Sequence, residues 1–270
     1  MRVGDRSGAV PGEDVWAAAG GGAPAPSPSP PDDSLYWLFY DEVAAAQVAA
    51  WLPRGEPLRV LDVSGGRRFA EQLAKAGHEV LHVRPDAELL EPAGRHGPGD
   101  VVPVVTDPRS MSWLQDAAVD AVLAESRALS MCLAAEVTAE ELLRVLRPGG
   151  RLLLVVDSLL LGLAQLASEG RWAELADVPS ADVVLVPAED GSISRCFWPE
   201  ELWTLLSEAG FEVEWVRPRS VLAPAAVERA LAEGRDAALH TLVKTELALA
   251  QEREGESLGI HLVASARRPA

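Results

Sequence analysis

One stretch constrains the fold of this chain more than any other: residues 58–84, LRVLDVSGGRRFAEQLAKAGHEVLHVR. It opens on a short apolar run rich in branched side chains, which reads as a strand buried on both faces. A Ser64-Gly65-Gly66 turn follows, then a helical pattern through Phe69, Ala70, Leu73 and Ala74 that stops at Gly77, where a left-handed cap is expected. A second apolar run at 80–83 reads as another strand. Two strands joined by a helical crossover form a parallel unit with its glycine turn at the carboxyl end of the first strand. Open α/β sheets bind ligands at that end, where glycine lets backbone N–H groups come close.

The downstream pattern repeats the alternation. Strands are expected at 101–106, 119–124, 151–156 and 211–216, with helices at 136–146 and from Pro199 to a stop at Gly210. The last strand, 259–266, alternates in its second half as an antiparallel edge partner would. Between 158 and 197 lie a helix, Trp172 and two extended runs around Asp190-Gly191, which read as a small lid with a hairpin. A long helix at 224–251 carries Val227, Leu231, Ala238, Leu242 and Leu249 on one stripe and is interrupted at Gly234. Upstream, Ser34 caps a helix that ends at Pro53. Residues 1–33, rich in Gly, Ala, Pro and Ser, are expected to be disordered. The fold class is therefore α/β: a seven-stranded, mostly parallel, doubly wound sheet over residues 34–270, with insertions at 158–197 and 222–256.

The stretch 58–84, together with ELLRVLRPGGRLLLVVD at 141–157, resembles class I S-adenosylmethionine-dependent methyltransferases. The resemblance extends over residues 34–268. It implies a Rossmann-like methyltransferase fold, S-adenosylmethionine as cofactor and transfer of a methyl group to a small-molecule acceptor. It assigns Asp62 to the acid of the first motif and Ser64, Gly65 and Gly66 to the cofactor loop. Asp107 falls where an acid would hydrogen-bond the adenine amine. Tyr40, with Tyr36 and Asp41 nearby, falls on the helix that covers the cofactor. Arg84 stands where the family has a ribose-binding acid, and an arginine cannot accept from two hydroxyls. The loop is also shorter than usual. Glu125 and Ser126, after the fourth strand, are the candidates to face the methyl group. Arg195, Phe197 and Trp198, ending the hairpin, are the candidates to meet the acceptor.

The departures keep a second reading open: a catalytically inactive methyltransferase-fold protein acting as a binding or regulatory partner. In that reading Arg67, Arg68 and Arg84 attract an anionic ligand, and the 224–251 helix offers a homodimer or protein-partner face.

Other chemistries find little support. The net charge of −17, with lysine only at Lys75 and Lys244, is unsuited to nucleic acid or to a membrane surface. No apolar run is long enough to span a membrane, since Asp157 interrupts the longest. A secretory signal is not expected, and a cytoplasmic location is. Cys132 and Cys196 have neither disulfide nor metal spacing. The five histidines (His78, His82, His96, His240 and His261) are scattered; those within strands read as core residues, and no metal site is expected.

Overall fold

The computed structural model describes residues 34–270 except 54, 65–66, 85–98, 106–110, 126, 133, 182 and 188–190. The N-terminal tail, the short helix expected at 86–91 and the expectations for Gly65, Gly66, Asp107 and Ser126 lie outside the described residues.

Helix α1 (Leu35–Trp51) begins where predicted, with the Ser34 side chain accepting a hydrogen bond from the Tyr36 N–H. Strand β1 (Arg59–Asp62), helix α2 (Arg67–Lys75) and strand β2 (Glu79–Arg84) form the expected parallel unit, and Gly77 closes α2 at φ +93°. Then come β3 (Val101–Val105), β4 (Val119–Ala124), α3 (Ala135–Val145) and β5 (Leu146–Ser158). The helix expected at 136–146 is present, shifted by one residue. Helix α3 stops at Val145, and Arg147-Pro148-Gly149-Gly150 is a kinked entry into β5. Gly149 has φ +76°, and a Cβ on Gly150 would lie 2.8 Å from the Arg147 carbonyl oxygen. Both positions therefore need glycine.

The insertion contains α4 (Leu159–Ser168), α5 (Trp172–Asp177), a 3-10 turn, and a hairpin of β6 (Val184–Pro187) and β7 (Ile193–Phe197). It has its own small core of Leu159, Leu166, Val184, Val186 and Cys196. Helix α6 (Pro199–Glu208), β8 (Glu212–Arg219), α7 (Pro224–Glu252) and β9 (His261–Arg267) complete the chain.

The seven expected strands line up as β3-β2-β1-β4-β5-β9-β8, all parallel but β9. The hairpin adds two more, because β7 joins the carboxyl tip of β5 at Asp157–Cys196 and Ser158–Phe197. Strand β9 is inserted between β5 and β8, so all but its last residue is buried. The edge character read from its alternation does not hold.

Two apolar layers flank the sheet. On one side Leu61, Leu81, Val122, Leu152 and Leu154 pack with α3 and α6 through Leu142, Val145, Leu202 and Leu206. On the other, Val60, Val80, Leu123, Leu153, Val155 and Val263 pack with Val48 and Trp51 of α1 and Ala70 and Leu73 of α2. The stripe on α7 is not free for a partner. Val227, Leu231, Ala238 and Leu242 pack with Tyr36, Phe39 and Val43 of α1, and the helix is kinked at Gly234 as predicted.

Candidate active site

The second apolar layer ends abruptly at the carboxyl tips of the parallel strands. Continuing the alternation of Val60, Val80, Leu123, Val155, Val263 and Trp215 brings Asp62, His82, Glu125, Asp157, His261 and Arg219 to one face. Register confirms the row, since Asp62 pairs with His82, Asp157 with His261, and His261 with Arg219. A charge at such a position must be paired to persist.

Arg219 is completely buried, and the Glu125 side chain is 3% exposed. The guanidinium donates to both carboxylate oxygens at 2.6 and 2.9 Å, to Gln47 Oε1 at 2.7 Å and to the Tyr40 hydroxyl at 3.4 Å, and it also packs over the Tyr40 ring. Burial alone would depress the guanidinium, but the adjacent Glu125 charge holds it protonated. Gly259 makes this approach possible, because a Cβ there would collide with the Arg219 backbone.

The second pair is Asp157 with Arg127, whose Nη1 donates to the two carboxylate oxygens at 2.9 and 3.0 Å. Ser194 of β7 also donates to this carboxylate, and His261 Nε2 lies 3.5 Å from it. Burial would raise the Asp157 pKa. The His261 hydrogen bond and the Arg127 charge outweigh it and hold the group at about 2. Arg127 itself and Ser220, next to Arg219, have φ of +58° and +63°, a region costly for non-glycine residues.

Tyr40 joins the two pairs. Its hydroxyl stands 3.3 Å from His261 Nδ1, and the two rings meet edge-on. Burial raises the phenol pKa, so it is a neutral donor. At the tip of β1, Asp62 accepts from the Ser64 N–H at 2.9 Å and faces His82 Nδ1 at 2.9 Å, while the Ser64 hydroxyl accepts from the Glu125 N–H. His82 Nε2 is buried and has no hydrogen-bond partner among the described residues.

The predicted residues divide accordingly. Tyr40, Asp62, Ser64 and Glu125 converge at the strand tips. Glu125 is locked against Arg219, however, so it is not the free group that sequence reasoning placed opposite the methyl. Tyr36 is buried and donates to Ser220 instead of lining a cleft, and Asp41 is ion-paired with Arg68. The hairpin trio is corrected in part. Phe197 is fully buried in the core, and Arg195 is buried between Glu136 and Glu201 and packs over that ring. Trp198 is 44% exposed at the start of α6. Sequence reasoning missed Arg219, Gln47, Asp157 and His261. Among the described residues no group of His, Cys, Asp and Glu side chains could hold a metal ion, and no helix is long and apolar enough to cross a membrane.

Comparison with known proteins bears on this geometry. Residues 61–154 match the family described as "Methyltransferase domain", a span from β1 through most of β5. Over that span the chain resembles a methyltransferase domain. Solved structures share the fold over most of the chain. A methyltransferase from Methanosarcina mazei is 19% identical, covering 83% of this chain and 97% of its own at a TM-score of 0.53. One from Mesorhizobium loti is 16% identical, covering 84% and 98% at 0.52. The Burkholderia thailandensis 1,6-didemethyltoxoflavin-N1-methyltransferase, solved with 1,6-didemethyltoxoflavin and S-adenosylhomocysteine, is 20% identical, covering 87% and 81% at 0.53. No curated protein matches the sequence. The polar row lies at the carboxyl tips of the parallel strands, where open α/β sheets take ligands.

Proposed function

We propose that the protein is an S-adenosylmethionine-dependent methyltransferase acting on a small-molecule acceptor. The observation that carries this reading is the placement of Asp62 and Ser64 at the tip of β1, within the span that matches the family, with Tyr40 in the same polar row through Arg219 and His261. The residues fit an adenosyl group in one further respect. His82 Nε2 is a buried ring nitrogen still lacking a partner on the strand that ends at Arg84, where the family's acceptor for ribose is missing. Asp62, Ser64, Gly65 and Gly66 would hold the cofactor with Arg84 and Asp107, and Tyr40 would cover it. Bound there, S-adenosylmethionine supplies an electrophilic methyl group. The protein's own task is to orient the acceptor, exclude water and remove a proton where the acceptor carries one. The insertion at 158–197, joined to the tip of β5, would cover the acceptor. The Burkholderia enzyme, which shares the fold, was solved with 1,6-didemethyltoxoflavin and S-adenosylhomocysteine bound.

A second reading has its own support. The buried Glu125–Arg219 pair occupies the tip of β4, and Arg84 replaces an acid; both suit a non-catalytic binding protein. Isothermal titration with S-adenosylmethionine and S-adenosylhomocysteine separates the two. The catalytic reading expects micromolar binding that weakens at least tenfold in Asp107→Ala. No heat from a folded protein at millimolar ligand refutes it in favour of the second.

A further inference from the structure

Resting on the catalytic reading above, we propose that Tyr40, His261 and Asp157 form a proton relay that deprotonates the methyl acceptor, and that this acceptor is an aromatic hydroxyl. The direction of the relay follows from donor chemistry. Arg219 has only donors, so its contact with Tyr40 uses the phenol oxygen as acceptor. The phenol proton is then free to point at His261 Nδ1, 3.3 Å away. With Nδ1 accepting, the neutral ring carries its proton on Nε2, the nitrogen that faces the Asp157 carboxylate. Three donors, Arg219 on β8, Tyr40 on α1 and His261 on β9, therefore point their hydrogens one way, towards the Asp157 carboxylate on β5.

The groups around His261 suit a base. Asp157 lies on one side, its charge shared with Arg127 and Ser194, and on the other is Tyr40, backed by the Arg219–Glu125 pair. The two arginines and two carboxylates cancel, so the charge that can vary is on the imidazole. His261 is 8% exposed and Tyr40 half-buried, so an acceptor reaches Tyr40 before the imidazole.

The step balances. As the acceptor oxygen bonds to the methyl carbon, the sulfonium C–S bond breaks and its electrons stay on sulfur. The acceptor's proton passes to Tyr40 Oη, the Tyr40 proton passes to His261 Nδ1, and the resulting imidazolium faces Asp157. An imidazole takes a proton efficiently only from a group within a few pKa units of its own. That favours a phenolic hydroxyl over an aliphatic alcohol. An acceptor without a proton to lose, such as a thioether, would need no relay.

The test uses the full chain and two independent readouts. Nitrogen-15 spectra of the neutral histidine rings should show His261 as the Nε2–H tautomer, with an Nδ1 shift that changes in Tyr40→Phe. A protonated Nδ1, or no response to Tyr40→Phe, overturns the relay whether or not cofactor binds. Titration with S-adenosylhomocysteine then tests the underlying catalytic reading by itself. In a protein that binds it, methyl transfer from labelled S-adenosylmethionine is measured on a panel of phenols and catechols. Transfer that falls about a hundredfold or more in His261→Gln and in Asp157→Asn, with S-adenosylhomocysteine affinity kept within about twofold, supports the proposal. Transfer unchanged in His261→Gln, or no transfer to any phenol by a protein that binds cofactor, overturns it.

Discussion

Replacing Arg219 by methionine tests how the site is held together. Methionine keeps most of the length of the side chain but removes every donor, so Glu125 is left in a site where its side chain is 3% exposed. Breaking a buried ion pair from one side costs about 3–5 kcal/mol, because the remaining charge is uncompensated. The lost guanidinium–ring contact with Tyr40, 5.4 Å from the centroid, adds about 0.5–1 kcal/mol. A loss of about 4 kcal/mol is expected in all, and for a chain of this size that lowers the melting temperature by roughly 10 °C. The double variant Glu125→Leu with Arg219→Met removes both charges. Apolar replacement of a whole buried pair is often neutral, so its stability should return to within about 1 kcal/mol of wild type. Urea unfolding followed by circular dichroism at neutral pH measures all three proteins. Were the single substitution to cost under about 1 kcal/mol, or the double variant to be no better than the single, the pair would not be the buried, mutually dependent unit described here.

Asp157 gives a pH signature. Its folded pKa of about 2 lies below the ordinary 3.8, so it contributes stability that is full above about pH 5 and is lost as pH falls through about 2. That gap is worth about 2 kcal/mol, and the stability deficit of Asp157→Asn should shrink by about that much between neutral pH and about pH 2. A deficit constant with pH would contradict the assignment. Gly259→Ala places a methyl against the Arg219 backbone and should cost about 1–3 kcal/mol in urea unfolding. A neutral result would mean that the loop before β9 can move aside.

The sheet was legible because its information is local. Short apolar runs, Gly77 at a helix end and the alternation of strand and helix each lie within a few residues, and the parallel crossover rule does the rest. The half of the site contributed by β1 and α1 was legible for the same reason. Phe197 and Arg195 show where locality fails. Their position at the end of a hairpin was correct, but whether that end faces a cleft or a core depends on α3 and α6, which supply Glu136 and Glu201. The Glu125–Arg219 pair is separated by 94 residues and the Tyr40–His261 contact by 221, so no motif could display either.

A fainter signal was nevertheless present. Asp157 interrupts one of the most apolar runs in the chain, and in the sequence that interruption served only to exclude a membrane span. A carboxylate embedded among leucines and valines must find cations or donors, because burying it alone is prohibitive. The strand alternation says where to look. Asp157 shares the parity of Leu153 and Val155, which places it on the face covered by α1 and α2, and any partner must sit at a strand tip on that face. Glu125 meets the condition two residues beyond Leu123, His261 two before Val263, and Arg219 four beyond Trp215. Parity cannot say which of these pair, but it shortens the list to the residues that do form the row. The polar residues worth following in an α/β sequence are thus those that break an apolar strand at its carboxyl end, since packing tolerates them only where the sheet stops being core and becomes a site.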